Sequence, residues 1–137
     1  MNWEIELTTL PLTSLITLLV GMLMLATGIN VGRARVRYGI QAPAVTGNEL
    51  FERAYRVQMN TLENAALMLP ALWLYGGFIG DRGAAITGGA WLLARIWYAL
   101  AYMASPAKRG PAFGISMAAF AGLWLGGAWG VIRAILH

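Results

Sequence analysis

The residues best suited to chemistry in this chain lie on one face of a single predicted helix. In "FERAYRVQMNTLENAALMLPALWLYGGF", residues 51–78, polar side chains recur every three or four positions, at Glu52, Arg56, Asn60 and Glu63. At about 100° per residue, the other three fall within roughly 40° of Arg56. The run that follows is apolar, so this polar face reaches the edge of a predicted membrane span. Ionisable residues at such a depth need a partner and usually serve a function.

Gln58 belongs to the same segment but points the other way. It lies about 200° from Arg56 around the helix. It therefore cannot line the same pocket within one subunit, although in an oligomer it could face a neighbouring subunit's site.

A second polar face is predicted on the following apolar helix. Trp91, Tyr98 and Tyr102 lie within about 60° of Arg95, so a cation in mid-membrane and two phenols share one side. Two other interpretations are open: the tyrosines could form an interfacial aromatic belt, and Arg95 could form an internal ion pair with Glu63. The coincidence of two facing polar surfaces favours a functional pocket between the helices.

Composition indicates a bilayer protein around these residues. Of 137 residues, 58% are hydrophobic and 12% are charged, and the apolar residues fall in long blocks. Spanning roughly 30 Å of hydrocarbon takes about 20 helical residues, and we predict spans at about 10–31, 58–79, 84–103 and 112–133. Asn48 is a plausible N-cap, so the second helix should cover 48–79. The chain should be one all-α domain, 1–137, folded as an integral membrane four-helix bundle.

Several classes of site are disfavoured by composition. Cysteine is absent and the one histidine is His137, so neither disulfides nor a metal centre is expected. The first span lacks a basic n-region, with Glu4 and Glu6 as the charges before it, so we expect it to be retained.

The basic residues predict the orientation in the membrane. They cluster between the first two spans, at Arg33, Arg35, Arg37, Arg53 and Arg56, and between the last two, at Lys108 and Arg109. The positive-inside rule places these loops in the cytoplasm and both termini on the opposite side. We expect these charges to meet membrane lipid headgroups, and expect no nucleic-acid partner.

Small residues and breakers predict how the helices pack. "GDRG" at 80–83 and "SPAKRGP" at 105–111 should be turns, and 33–48 an irregular loop. In the fourth helix small residues recur every fourth position, at Gly114, Ala118, Gly122, Gly126 and Gly130. Such a seam allows another helix to approach closely, within the bundle or in an oligomer.

The segment 51–78 resembles the signature of the family of membrane-associated proteins in eicosanoid and glutathione metabolism (MAPEG). The resemblance continues through "LLARIWYALAY" and "SPAKRGP", and so covers residues 33–111. It implies a four-helix subunit assembled as a homotrimer, with glutathione as co-substrate in a cytoplasm-facing cleft between adjacent subunits.

The resemblance also implies roles for individual residues. Residues that match the family's glutathione-binding positions are Arg56, Asn60, Glu63, Tyr98 and Tyr102, with Gln58 serving the neighbouring subunit's site. Arg109 matches the arginine assigned to activating the thiol. Arg35 aligns without gaps with a first-loop arginine that reaches the ligand across the interface, whereas Arg33 or Arg37 would need a shift. Asn64 stands where eicosanoid-conjugating members have an aromatic residue, which does not favour eicosanoid specificity.

These observations together predict a glutathione-dependent membrane transferase or peroxidase acting on lipophilic electrophiles. Glutathione has two carboxylates and one ammonium, which suit arginines and a glutamate respectively. One alternative is a non-catalytic, lipid-binding scaffold protein of the same family, which would have no need of the glutathione residues. Another is a small multidrug exporter, but such proteins couple protons through a carboxylate in the first helix, and this first helix has none.

Overall fold

The computed structural model describes residues 7–137, so Glu4 and Glu6, on which the expectation of a retained first span depends, lie outside it. Its α-helices are α1 (Pro11–Tyr38), α2 (Glu49–Phe78), α3 (Asp81–Ala104) and α4 (Gly110–Leu136). Short 3-10 turns cover Leu7–Thr9 and Pro106–Arg109, and no strand occurs between residues 7 and 137. The prediction of an all-α four-helix protein is confirmed.

The first helix is longer than predicted. It was expected to end near residue 31, but it continues to Tyr38 and ends at Gly39, whose φ of 67° is left-handed and favours glycine. Residues 33–38 are therefore helical and not part of an irregular loop. Arg35 and Arg37 lie in the last turn, where cations interact favourably with the helix dipole.

The second helix occupies the centre of the bundle and packs against each of the other three. It begins at the predicted cap, because the side-chain oxygen of Asn48 accepts hydrogen bonds from the backbone N–H groups of Leu50 (2.9 Å) and Phe51 (3.1 Å). Pro70 lies inside it, and the helix continues to Phe78.

Three segments in the described part of the chain are long and apolar enough to cross a membrane: α1, α3 and Pro106–Leu136. The predicted span at 58–79 is not among them. Glu63 and Asn64 lower the apolar character of this half of α2, and the other helices pack around it.

Polar contacts join the helices at both ends of the bundle. At one end the Asp81 carboxylate accepts hydrogen bonds from the backbone N–H and the hydroxyl of Thr13 (2.7 and 2.8 Å), so α3 caps the start of α1. At the other end Arg53 Nη1 donates to the carbonyl oxygen of Met103 (3.0 Å) and joins the start of α2 to the end of α3. Between them, Val20, Met68 and Trp91 belong to a core with no solvent exposure.

Only part of the small-residue seam on α4 is used within the subunit. A Cβ added at Gly126 or Gly130 would overlap Tyr75 or Phe78 of α2, so these glycines permit close approach of the two helices. A Cβ at Gly114 would meet nothing within 4 Å.

Candidate functional site

Side chains from α2, α3 and the start of α4 enclose a cavity of about 460 Å³ at the end of the bundle where α3 joins α4. The cavity is lined by Arg56 and Asn60 of α2, Tyr98 and Tyr102 of α3, Arg109 of the 3-10 turn and Phe113 of α4. Residues far apart in sequence meet because α2 and α3 pack directly together and the short turn folds back over the end of α3. Five of the eight predicted site residues therefore share one pocket.

Aromatic rings form one wall of this pocket. The centre of the Tyr98 ring lies 5.7 Å from that of Tyr102 and 6.2 Å from that of Phe113. Tyr98 is buried, with only 3% of its surface exposed. Both tyrosines line the cavity, and Tyr98 is too deeply buried to belong to an interfacial aromatic belt.

The charge of the lining is positive. Arg56 and Arg109 are both exposed at the pocket, and none of the described residues that line it is acidic. Within residues 7–137 the sole ion pair joins Arg53 to Glu49, so neither pocket arginine is neutralised by a carboxylate of the subunit. Arginine stays protonated in proteins, so this pocket suits an anionic ligand.

Arg95 lies directly behind the pocket wall. It has no solvent exposure, and its Nη2 donates to Oδ1 of Asn60 (2.9 Å) and to the hydroxyl of Thr61 (3.0 Å). Its guanidinium carbon lies 4.0 Å from the centre of the Tyr98 ring. The Arg95 side chain thus touches two residues that line the cavity.

The alternative interpretation, in which Arg95 forms an ion pair with Glu63, is wrong. Arg95 approaches the side of α2 that carries Asn60 and Thr61, and Glu63 points roughly 110° away from the midpoint of those two. Glu63 is exposed and does not line the pocket. In the part of the chain that the structure describes, its carboxylate makes no hydrogen bond or ion pair.

Gln58 lies on the side of α2 away from the pocket, against α1. A Cβ added at Gly28 of α1 would lie 3.1 Å from the Gln58 amide nitrogen. The structure therefore does not bring Gln58 to the Arg56 pocket within one subunit.

Arg35 also lies outside the pocket and contacts the connection between α1 and α2. Its Nη1 donates to the carbonyl oxygen of Ala44 (2.8 Å), and its guanidinium carbon lies 4.9 Å from the centre of the Phe51 ring. Arg33 and Arg37 line a separate groove of about 250 Å³ between α1, α2 and Met103. None of the three reaches the pocket of its own subunit.

Sequence reasoning missed Phe113, and it placed Arg95 on the polar face of the third helix without assigning it a role in the site. Phe113 has no distinguishing signal, because it is one apolar residue in an apolar helix. Arg95 did carry a signal, since an arginine in mid-membrane is rarely without a function. Its partners could not be found because they depend on how α2 and α3 are rotated against each other.

Comparison with known proteins gives a consistent picture. The model of the MAPEG family matches residues 13–129, a range that contains every residue lining the pocket. The human protein named microsomal glutathione S-transferase 2 is 33% identical over 108 residues, covering 79% of this chain and 74% of that protein. Bovine leukotriene C4 synthase is 33% identical over 123 residues, covering 89% and 79% respectively. An uncharacterized protein of Synechocystis sp. is 54% identical over 96 residues, covering 70% of each chain.

Proposed function

The chain belongs to the MAPEG family, and we propose that it is a glutathione-dependent transferase or peroxidase that acts on lipophilic electrophiles. It is an integral membrane protein with helices long and apolar enough to cross a bilayer. The observation that carries the proposal is the pocket in which Arg56, Asn60 and Arg109 meet Tyr98 and Tyr102 without an acidic neighbour. Glutathione supplies the two carboxylates that such a pocket lacks.

Arg109 is proposed to activate the thiol. A free thiol has a pKa near 8.5 and reacts as the thiolate. A neighbouring guanidinium stabilises the thiolate and so lowers the pKa of the bound thiol, but it cannot remove the proton itself. The proton leaves to solvent, the sulfur forms a bond to the electrophilic carbon, and the bond to the leaving group breaks. With a peroxide, the sulfur attacks the terminal oxygen, the O–O bond breaks, the sulfur becomes a sulfenic acid, and the alkoxide takes up a proton and leaves as the alcohol. A second glutathione thiol then attacks the sulfenic sulfur, which forms the disulfide and releases water.

A homotrimer with glutathione between adjacent subunits is part of the proposal. Glu63 supports it, because an exposed carboxylate on a helix of a membrane bundle is costly unless something covers it. In an assembly, Glu63 can bind the ammonium of glutathione, while Gln58 and Arg35 reach the site of the neighbouring subunit.

The orientation in the membrane is likewise proposed. The Arg53 contact with Met103 shows that the start of α2 and the end of α3 share one end of the bundle, so the basic residues around both joints lie together. By the positive-inside rule this end, with the pocket, faces the cytoplasm, and both termini lie on the other side.

Asn64 supports a broad range of electrophiles over a dedicated eicosanoid. Its amide nitrogen donates to the backbone oxygen of Asn60 (2.8 Å), so the side chain folds back onto its own helix. It presents no aromatic surface to a fatty chain, and we propose that the acceptor is bound through lipid-facing apolar surfaces instead.

The proposal is tested with the purified full chain in detergent. We expect millimolar glutathione to raise the melting temperature and to be turned over with 1-chloro-2,4-dinitrobenzene, a generic aromatic electrophile. The dipeptide γ-glutamylcysteine, which lacks the glycine carboxylate, should stabilise the protein less. If glutathione stabilises the protein but neither this electrophile nor cumene hydroperoxide is turned over, the proposed enzymatic activity is refuted and a binding protein is supported. The absence of any stabilisation would refute the glutathione site itself.

A further inference from the structure

Arg95 is a buried cation without a counter-ion among the residues that the structure describes. It has no solvent exposure, and its hydrogen-bond partners are an amide and a hydroxyl, not a carboxylate. Its Nε and Nη1 make no hydrogen bond within residues 7–137. Burying a charge without an opposite charge is strongly destabilising, so a role outside packing is indicated for this side chain.

Arg95 determines which way the amide of Asn60 faces. Arginine has donors only, so the Asn60 atom at 2.9 Å from Nη2 must be the oxygen. The amide of Asn64 donates to the same oxygen at 3.3 Å, which supplies a second donor for its two lone pairs. The amide nitrogen of Asn60 is left without a hydrogen bond in the described part of the chain, on a residue that lines the pocket.

We propose that Arg95 is a positioning residue that holds Asn60 with its amide N–H groups directed into the pocket, ready to donate to a carboxylate or carbonyl oxygen of bound glutathione. This inference rests on the proposed function and deepens it. An amide that is not held can rotate and present its oxygen, which would repel an anionic ligand. The nearby guanidinium also polarises the Asn60 amide and so strengthens it as a donor.

A double-mutant cycle on the full chain separates this role from a general structural one. The glutathione dissociation constant is measured by calorimetry for wild type, Arg95→Met, Asn60→Ala and the double variant, together with kcat at saturating glutathione. We expect Arg95→Met to weaken binding roughly tenfold while kcat changes by less than about threefold. In the Asn60→Ala background, the same substitution should raise the glutathione dissociation constant less than about twofold.

Two further variants make the test independent of folding. Arg95→Lys keeps the positive charge and an ammonium that can donate to Asn60, so it should weaken glutathione binding less than Arg95→Met does. It replaces Arg95→Met in the cycle if that variant does not fold. Thr61→Val is the matched control, because it removes the other acceptor of Arg95 and leaves Asn60 in place. We expect it to bind glutathione as wild type does.

The outcomes are distinct. The positioning role is overturned if the Arg95 substitution weakens glutathione binding equally in both backgrounds, or if it does not weaken binding at all. Either result leaves the proposed function intact. A wild-type protein that binds no glutathione overturns the proposed function and the positioning role together.

Discussion

The guanidinium carbon of Arg109 lies 5.5 Å from the centre of the Tyr102 ring, and its Nη1 donates to the carbonyl oxygen of Pro106 at 2.9 Å. These contacts hold a flexible, exposed side chain at the pocket by way of a turn of only four residues. Its neighbour Lys108 is equally exposed but does not line the pocket. Arg109, and not Lys108, is therefore the residue of this turn whose charge is available in the pocket.

Arg109→Ala should reduce the rate of the chemical step more than it reduces binding. We expect kcat with a generic aromatic electrophile to fall roughly 10- to 100-fold, because the thiolate loses an adjacent positive charge. The same loss raises the pKa of the bound thiol, so the rise of kcat with pH should shift upward by at least about one unit. Steady-state kinetics between pH 6 and 10 measures both effects.

Lys108→Ala is the matched control for Arg109→Ala, since it removes an exposed charge one residue away. It should leave kcat and its pH dependence unchanged. An equal fall in kcat in the two variants would contradict a specific role for Arg109 and would indicate that the total positive charge of the turn matters instead.

Arg56→Ala should have the opposite kinetic signature. Arg56 lines the pocket from α2 and has no carboxylate partner in the described residues, so its charge is available to a glutathione carboxylate. We expect the dissociation constant for glutathione to rise roughly 10- to 100-fold, with kcat at saturation changed by less than about threefold. Arg82→Ala, at the opposite end of α3, is the charge-matched control and should bind normally.

Sequence periodicity predicted part of the pocket lining, although Glu63, on the same predicted face of α2 as Arg56, does not line the pocket. Arg56 and Asn60 share a face of α2, and Tyr98 and Tyr102 share a face of α3, because one helical turn separates the members of each pair. Arg109 could not be placed by periodicity, because it lies in the turn between α3 and α4. The resemblance to the family assigned it a role instead.

The contacts that the sequence could not predict depend on how neighbouring helices are rotated against each other. An ion pair of Arg95 with Glu63 was one open interpretation, but the rotation of α3 against α2 brings Arg95 to Asn60 and Thr61. The end of α1 was misjudged for a different reason: Arg33, Arg35 and Arg37 indicated a loop, but residues 33–38 contain no glycine or proline, and the left-handed Gly39 ends the helix.

Co-expression of two variants with weakened glutathione binding, assayed at a glutathione concentration well below their dissociation constants, tests whether adjacent subunits share a site. If Gln58 serves the neighbouring subunit, a site is intact whenever one subunit supplies Arg56 and the next supplies Gln58. Random mixing of Arg56→Ala and Gln58→Ala subunits in a trimer should then restore roughly a quarter of the sites. We expect activity of the co-expressed, co-purified mixture well above that of either variant alone.

Mixing the two variants after separate purification, without subunit exchange, is the control for that experiment and should give no gain. A co-expressed mixture no more active than the mean of the two variants would show that Gln58 and Arg56 do not combine across subunits.

Gly130→Ala tests the close contact between α4 and α2. A Cβ at Gly130 would overlap the Cβ of Phe78, and that atom is attached to the backbone, so rotation of the ring cannot relieve the clash. We expect a loss of about 1–3 kcal/mol in the free energy of unfolding.

At Gly122 of the same helix, an added Cβ would lie 3.7 Å from Thr87, an ordinary van der Waals distance. Gly122→Ala should therefore be neutral or stabilising by about 0.5–1 kcal/mol, because alanine loses less backbone entropy in a helix. Thermal unfolding in detergent, followed by tryptophan fluorescence, ranks the two variants. If Gly130→Ala melts at or above Gly122→Ala, the two helices do not depend on that glycine for their approach.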